Sequence, residues 1–216
     1  MIDIYCERHS PGLFEEPLNA ITNAAFLVAT VCAWKVAKRR YVHAWDIMVL
    51  LFLSATVGIG SAIWHMAATP WAKPMDLIPI LLFQLWFLWL YFRDCANVSV
   101  LVSAGLLSGY SVLSILMVQV PPYFNGSILY APTLCVLLCL AVYHYTSQQP
   151  ERYLLGVGLI LFLAALTFRS IDMLSCPFVP FGTHFLWHIL NGALLYVVMR
   201  ILIVKRGQEK PVGPLA

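Results

Sequence analysis

Residues 45–65 read WDIMVLLFLSATVGIGSAIWH, an apolar run that is long enough to cross a bilayer as one helix. Apart from one aspartate near its start, the run carries no charged side chain, and it closes on Ser61 and His65. Residues four apart share a face of a helix, so this hydroxyl and this imidazole point the same way. A polar residue in an apolar helix is often only a contact between helices, and for either residue alone that interpretation is as good as a functional one. Gly58 and Gly60 are expected to let a neighbouring helix approach closely.

The composition places most of the chain in a membrane. The 216 residues are 61% hydrophobic and 11% charged, with a mean hydropathy of +0.82, whereas a soluble domain is roughly 45–50% apolar and ~25% charged. The sequence therefore predicts an all-α polytopic membrane protein without a separate soluble domain and without a nucleic-acid partner. The N-terminus lacks a basic region followed by an apolar one, so the first span is expected to act as its own insertion signal.

Seven predicted spans divide the chain. We expect helices at about 17–37, 45–65, 75–92, 98–120, 127–145, 153–171 and 181–204, each close to the ~20 residues that a bilayer requires. An acidic segment at 1–16 precedes the seven-helix domain at 17–204, and a short basic tail follows at 205–216. Such a chain is a multi-pass integral protein of a bacterial inner membrane or a eukaryotic endomembrane. Its oligomeric state is left open.

The basic residues that flank the spans predict the orientation of the chain. If the N-terminus lies outside, the cytoplasmic side holds Lys35, Lys38, Arg39, Arg40, Arg93, Arg152, Arg200, Lys205, Arg206 and Lys210. The outer side then holds only Arg8, Lys73 and Arg169. Because positively charged loops tend to stay in the cytoplasm, this asymmetry predicts an outer N-terminus and a cytoplasmic C-terminus.

Polar residues near the ends of three spans fall at one depth under this topology. Ser61 and His65 lie at the outer end of the second span, Asp76 at the outer end of the third, and His184 and His188 at the outer end of the seventh. Independent contacts between helices would have no reason to share a depth, and ionisable groups inside a membrane are costly. These five residues are therefore predicted to form one site.

Three imidazoles with an open coordination position are typical of catalytic zinc. Zinc lowers the pKa of its bound water to about 7 and polarises a carbonyl oxygen. Asp76 would accept the proton of that water and return it to a leaving amine, and Ser61 would donate a hydrogen bond to a developing oxyanion. A Ser61 nucleophile activated by His65 is the competing chemistry, and it leaves two further histidines unexplained. The six cysteines include no CxxC pair, which argues against a cysteine zinc site.

These motifs resemble a known family. Ser61-x-x-x-His65, Asp76 at the start of the next span and His184-x-x-x-His188 resemble the alkaline ceramidases, which belong to a seven-helix superfamily with the progestin and adiponectin receptors and the GPI-lipid remodelling proteins. The opening residues Tyr5-Cys6-Glu7 and Glu16-Pro17-Leu18-Asn19-x-x-Thr22-Asn23 resemble the ceramidase branch in particular. The resemblance covers nearly the whole chain.

The resemblance implies a site and a substrate class. By it, His65, His184 and His188 are zinc ligands, and Ser61 and Asp76 assist catalysis. The substrate would be a membrane lipid, a ceramide or a related N-acyl lipid, whose amide is cleaved to a fatty acid and a free amine. If the protein is bacterial, where sphingolipids are uncommon, another N-acyl lipid is the expected substrate.

The resemblance also implies a calcium site, which eukaryotic members of the family carry in the opening segment. Glu7 and Glu16 match its acidic positions, but His9 stands where an asparagine is expected and Ile4 where an aspartate is expected, with Asp3 one place off. Calcium requires oxygen ligands, and neither the His9 nor the Ile4 side chain supplies one. The alternative is that the glutamates of this segment, including Glu15, form a solvated acidic surface.

Two further pairs of residues lie on the predicted outer side. Cys6 and Cys176 are placed where oxidation is possible, so the chain is expected to hold either a disulfide between them or two unpaired thiols. Arg169 and Asp172 lie near the depth of the site. We expect them to form ion pairs with each other or with the N-terminal segment.

Two other functions fit parts of the pattern. A receptor or signalling protein of the same superfamily would use the zinc site structurally, and it would bind a ligand tightly without turning it over. A transporter or haem protein would use buried histidines as proton carriers or axial ligands. His184 and His188 lie four apart on one helix, which suits a single metal better than two haems.

Overall fold

The computed structural model describes residues 4–10 and 12–209. In this part of the chain every regular element is a helix: α1 (Pro17–Thr22), α2 (Ala24–Arg39), α3 (Trp45–Ala67), α4 (Lys73–Asp94), α5 (Val100–Met117), a 3-10 turn (Ser127–Tyr130), α6 (Ala131–Thr146), α7 (Leu154–Ser175) and α8 (His184–Glu209). Seven segments are long and apolar enough to cross a membrane, the first made of α1 and α2 together and the fifth of the 3-10 turn with α6. The protein is a multi-pass integral membrane protein.

The predicted spans are all present, with some ends moved. The first span breaks at Asn23, whose side-chain amide donates to the Asn19 carbonyl oxygen at 2.8 Å. The last span begins at His184 rather than at 181, because the preceding backbone turns through Gly182 at φ +64°. That span continues to Glu209, so the predicted tail from 205 starts inside α8, and residues 210–216 lie outside the described part of the chain.

Helix α8 is the centre of the bundle. About two-thirds (67%) of its span is buried, against 11% for α5 at the periphery. It packs mainly against α7 and α2 and also contacts α3 and α4. A helix in this position can carry side chains that face several neighbours at once, and α8 carries two of the predicted site histidines.

A glycine sets the distance between α3 and α4. A Cβ atom added to Gly60 would lie 1.9 Å from the backbone oxygen of Met75, so only glycine permits this approach. The carbonyl of Met75 is also free of its usual helical partner, because Pro79 has no N–H to donate four residues later. The close packing predicted at Gly60 therefore brings the end of α3 that holds Ser61 against the start of α4.

The other end of α8 is held by ion pairs. Arg206 contacts the carboxylates of Asp46 on α3 and Asp94 on α4. Arg200 pairs with Glu151 at 2.5 Å between Nη2 and Oε1. These contacts tie the end of α8 to α3 and α4 and to the turn before α7.

The N-terminal segment packs onto the end of the bundle where α3 ends and α8 begins. Its backbone and side chains reach the last turn of α3, where Phe14 N donates to the Met66 carbonyl oxygen at 3.1 Å. Glu7 and Glu16 are 8% and 1% exposed, while Glu15 is half-buried. The alternative of a solvated acidic surface is therefore wrong for Glu7 and Glu16, which face the protein interior.

Candidate metal centre

The three predicted site histidines meet at one end of the bundle. His65 comes from the last turn of α3, and His184 and His188 come from the first two turns of α8. One ring nitrogen of each lies within 4.8 Å of the others, and all three side chains are buried. Among the described residues this is the group of metal-ligating side chains arranged to hold an ion.

Hydrogen bonds fix the orientation of two of these rings. His65 Nδ1 lies 2.5 Å from Glu16 Oε2, and a carboxylate there accepts a hydrogen bond from Nδ1–H. His188 Nδ1 lies 3.0 Å from the Thr22 hydroxyl. That hydroxyl has a single proton, which it donates to the Leu18 carbonyl oxygen at 2.8 Å, so it accepts from His188. Both rings are then left with an Nε2 lone pair, which is the form that binds a metal.

The third ring is positioned through its backbone and by stacking. Asp172 Oδ1 accepts hydrogen bonds from the backbone N–H groups of Thr183 and His184 at 2.7 and 2.9 Å. It thereby caps the first turn of α8, where N–H groups have no partner within the helix. The ring of Tyr5 stacks on His184 with the ring centroids 3.9 Å apart.

Unpartnered nitrogens show that the residues present fit a metal ion. His184 Nδ1 and His188 Nε2 are buried and have no hydrogen-bond partner within the described chain. Buried polar atoms nearly always have partners, so such orphaned atoms require an explanation. Three imidazoles grouped this closely, two of them with a carboxylate or a hydroxyl behind the ring, are the arrangement of a metal site.

Ser61 and Asp76 lie together beside the histidines. Ser61 is buried, one turn before His65 on α3. Its hydroxyl lies within reach of Asp76, in the first turn of α4. Asp76 Oδ1 is buried and has no hydrogen-bond partner among the described residues. The structure thus brings all five predicted site residues to one end of the bundle.

Arg169 is a buried cation close to the N-terminal segment and to the metal centre. Its guanidinium lies 5.2 to 5.6 Å from the ring centroids of Tyr5, Tyr130 and Trp187. Nη1 donates to the Tyr5 hydroxyl at 3.1 Å, and Nε is buried with no hydrogen-bond partner in the described part of the chain. Of the two expected arrangements, an ion pair between Arg169 and Asp172 is not found among the described residues, because both Asp172 oxygens accept backbone N–H groups. Both residues do contact the N-terminal segment, through hydrogen bonds to Tyr5 and Cys6.

The N-terminal segment is also held covalently in the structure. Cys6 and Cys176 form a disulfide with their Cα atoms 5.5 Å apart, which joins the segment to the end of α7. Cys6 N also donates to Asp172 Oδ2 at 2.9 Å. Gly182 packs tightly against Cys6 and Asp172. A Cβ there would lie 2.2 Å from Asp172 Oδ1 and 2.6 Å from Cys6 Cβ, so the packing requires glycine.

The two glutamates of the implied calcium site are already engaged. Glu7 accepts from the backbone N–H groups of Leu18 and Asn19 at 2.6 and 2.8 Å, which caps α1. Glu16 contacts His65 through one oxygen and Arg8 through the other. Burial raises the pKa of both carboxyls, and their hydrogen-bond donors oppose that shift.

An apolar cavity opens next to the histidines. It lies among α2 to α8, and its lining includes Phe26, Val57, Phe83, Leu137, Trp187 and Val198. Trp187 also stacks against His184 with the ring centroids 6.4 Å apart, so the cavity adjoins the metal centre. A small polar cluster also lines it, in which the Tyr110 hydroxyl donates to Gln84 Oε1 at 2.7 Å.

Several contacts that shape the site could not be predicted from the sequence. Thr22 forms a hydrogen bond with the ring of His188, and Asp172 accepts one from the backbone of His184. Arg8 donates to Glu16, the glutamate behind His65. Thr22 and Glu16 do fall within the opening motif, which was a signal that they mattered. Nothing in the local sequence shows which histidine each of them contacts.

The fold and the site together define a seven-helix integral membrane protein with a three-histidine centre at one end of its bundle. Residues 5–212 match the family model for ceramidase, and the chain belongs to the ceramidase family. Comparison with curated proteins gives no significant match. The family supports a ceramidase-like hydrolase, which the resemblance in the sequence also implied.

Proposed function

We propose that the protein is a zinc-dependent hydrolase that cleaves the amide of ceramide or a related N-acyl lipid within the membrane. The observation that carries this proposal is the grouping of three buried histidines with the Ser61–Asp76 pair beside an apolar cavity. The family match supports the reaction class. The products would be a fatty acid and a free amine.

His65, His184 and His188 would hold the metal, which leaves one position of a tetrahedral zinc site open for substrate or water. When bound there, zinc supplies Lewis acidity, which makes a water acidic near neutral pH and polarises a carbonyl. The buried position of the three rings excludes competing ligands from bulk solvent. Glu16 and Thr22 keep two of the rings in the tautomer that binds.

Asp76 is the proposed proton carrier. Its unpartnered Oδ1 can take the proton of the attacking water, and the same carboxyl can deliver that proton to the nitrogen of the leaving amine. Transfer to the nitrogen is required because an amide anion is a poor leaving group. Asp76 serves as base and then as acid in one turnover.

Ser61 is coupled to that proton transfer. While Asp76 is ionised, the Ser61 hydroxyl donates to it. Once Oδ1 is protonated, the carboxyl loses its negative charge and becomes a weaker acceptor, so the Ser61 O–H can turn towards the substrate. It can then stabilise the negative charge that develops on the substrate carbonyl oxygen. The hydroxyl therefore supports the oxyanion at the stage when the charge is present.

The apolar cavity supports a lipid substrate. Its aromatic and aliphatic lining suits an acyl chain, with the carbonyl end placed near Trp187 and the histidines. We also infer, from the distribution of basic residues, that the end of the bundle with the metal centre faces outside. Labelling of single cysteines by a reagent that does not cross the membrane tests that orientation.

The proposal is tested by elemental analysis of purified protein combined with a panel of labelled N-acyl lipids. We expect about one zinc per chain, as catalytic sites of this ligand type bind, and release of fatty acid from at least one lipid of the panel. Protein that holds zinc but cleaves no N-acyl lipid, while binding one tightly, would instead support the receptor interpretation.

A further inference from the structure

A buried arginine occupies the place where the family resemblance implies calcium. The Arg8 side chain is 2% exposed, as is that of its partner Glu16. Its Nε donates to Glu16 Oε1 at 2.7 Å, its Nη1 to the Gly12 carbonyl oxygen at 3.0 Å and its Nη2 to the His65 carbonyl oxygen at 3.2 Å. The guanidinium thus donates hydrogen bonds to one carboxylate and two carbonyl oxygens. These are the types of oxygen that bind calcium ions in proteins.

The residues of the implied calcium site that lie within 4–10 and 12–209 do not fit calcium as the structure arranges them, and Asp3 lies outside the described residues. Calcium takes six to eight oxygen ligands, whereas both Glu7 oxygens accept backbone N–H groups and both Glu16 oxygens are also occupied. His9, at the position of an expected ligand, is exposed. A second positive charge beside Arg8 would add repulsion without gaining ligands.

The same arginine acts on the metal centre through two routes. It fixes the carboxylate that orients the His65 ring, and it also binds the backbone carbonyl of His65. The last carbonyls of α3 have no partner within the helix, and a cation there is favoured by the helix dipole. Arg8 therefore holds both the ring and the main chain of one metal ligand.

We propose that Arg8 is a built-in substitute for a divalent cation, so that this ceramidase-family protein positions His65 without calcium. Arg8 is a positioning residue, because it touches the metal ligand and its carboxylate partner rather than the reacting atoms. The inference rests on the proposed metal centre. It does not depend on which lipid is cleaved.

The first test uses the wild-type protein. Bound calcium is measured directly, and zinc content is followed at fixed free zinc while free calcium is varied from about 10 nM to about 1 mM, the range in which protein calcium sites titrate. We expect no stoichiometric calcium and an unchanged zinc content. Stoichiometric calcium, or zinc retention that requires calcium, would overturn the proposal.

The second test removes the guanidinium. Arg8→Ala should weaken zinc affinity, measured by competition with a chelator, by about 10–100-fold, as loss of a group behind a metal ligand typically does. Added guanidinium ion, far below the molar concentrations that unfold proteins, should restore much of that affinity. Arg152→Ala, at the other end of the bundle, should leave zinc affinity unchanged.

Two outcomes of the second test contradict the proposal. One is an Arg8→Ala protein with wild-type zinc affinity. The other is a variant that is folded, by circular dichroism, but does not respond to guanidinium. If the variant does not fold at all, the calcium measurement on the wild-type protein still decides. Because zinc affinity is read without substrate, these results are separate from any failure of the proposed amide hydrolysis.

Discussion

Glu16 Oε2 lies 2.5 Å from His65 Nδ1, and both side chains are almost fully buried. The pair joins the residue before α1 to the last turn of α3, and Arg8 completes it on the far side of the carboxylate. A carboxylate behind a metal-binding imidazole fixes the ring tautomer and makes the ring a stronger ligand. The N-terminal segment is therefore part of the candidate metal centre rather than a cover over it.

Neutralising Glu16 should weaken the metal site. Glu16→Gln keeps the size of the side chain but removes the negative charge that faces His65, so zinc affinity should fall by about 10–100-fold. Competition with a chelator measures the change. Glu15→Gln is the matched control, since Glu15 is half-buried and the hydrogen bonds of the described site histidine rings go to Thr22 and Glu16 instead. Equal zinc affinity in the two variants would show that Glu16 has no such role.

Asp76→Asn should separate metal binding from turnover. The amide cannot accept and return a proton, so cleavage of an N-acyl lipid should fall by about 10²–10⁴-fold. Zinc content should stay close to wild type, because the three histidines are untouched. His188→Ala should by contrast lose both zinc and activity. An Asp76→Asn protein that turns over normally would rule out Asp76 as the proton carrier.

Gly60→Ala should separate α3 from α4. The added Cβ would meet the Met75 backbone oxygen at 1.9 Å, and backbone cannot move aside as a side chain can. Overpacking of this kind costs about 1–3 kcal/mol of stability, and the shift should also part Ser61 from Asp76. Thermal unfolding in detergent and lipid cleavage are the measurements.

The control for that change is Gly105→Ala on α5, where an added Cβ meets nothing within 4 Å. Alanine is favoured over glycine inside a helix by about 0.5–1 kcal/mol, so this variant should be as stable as wild type or more so. If both variants behaved alike, the close approach at Gly60 would not matter for stability.

Removing the Cys6–Cys176 disulfide should loosen the N-terminal segment from α7. Cys176→Ser should destabilise the protein by about 2–5 kcal/mol, the usual effect of losing a native disulfide, and should lower zinc retention because Tyr5 and Arg8 lie in the freed segment. Alkylation with and without reductant, read by mass spectrometry, reports the pairing. Cys135→Ser, at an exposed free cysteine, should change neither property.

The cavity should set the acyl-chain preference. Val198 lines the cavity and lies about 16 Å along α8 from Trp187, at the rise of an α-helix. Val198→Trp should therefore reduce cleavage of long-chain N-acyl lipids more than that of short-chain ones, as a shift in the ratio of kcat/KM values. Ile160→Trp, on the exposed face of α7, should leave the ratio unchanged. A uniform loss for all chain lengths would place the acyl chain elsewhere.

Much of the candidate site was accessible from the sequence because its signals are local. Ser61 with His65 and His184 with His188 form pairs spaced by one helical turn, and the start of α4 supplies Asp76. The prediction that these residues meet depended on topology, since alternate ends of spans return to the same side of the bundle. The structure does place all five at one end.

The sequence alone determined the membrane environment, the seven spans and the two histidine-bearing faces, because hydrophobicity and helical period are properties of neighbouring residues. Only the tertiary structure decided what stands behind each histidine. Thr22 and His188 are 166 positions apart, and Arg8 and His65 are 57 apart. No local pattern encodes such pairings; they arise when α8 packs into the bundle and the N-terminal segment folds over its end. The partner of Glu16 was likewise set by that packing. A buried carboxylate is stable when it is paired with a cation, and the packing places Arg8 against it.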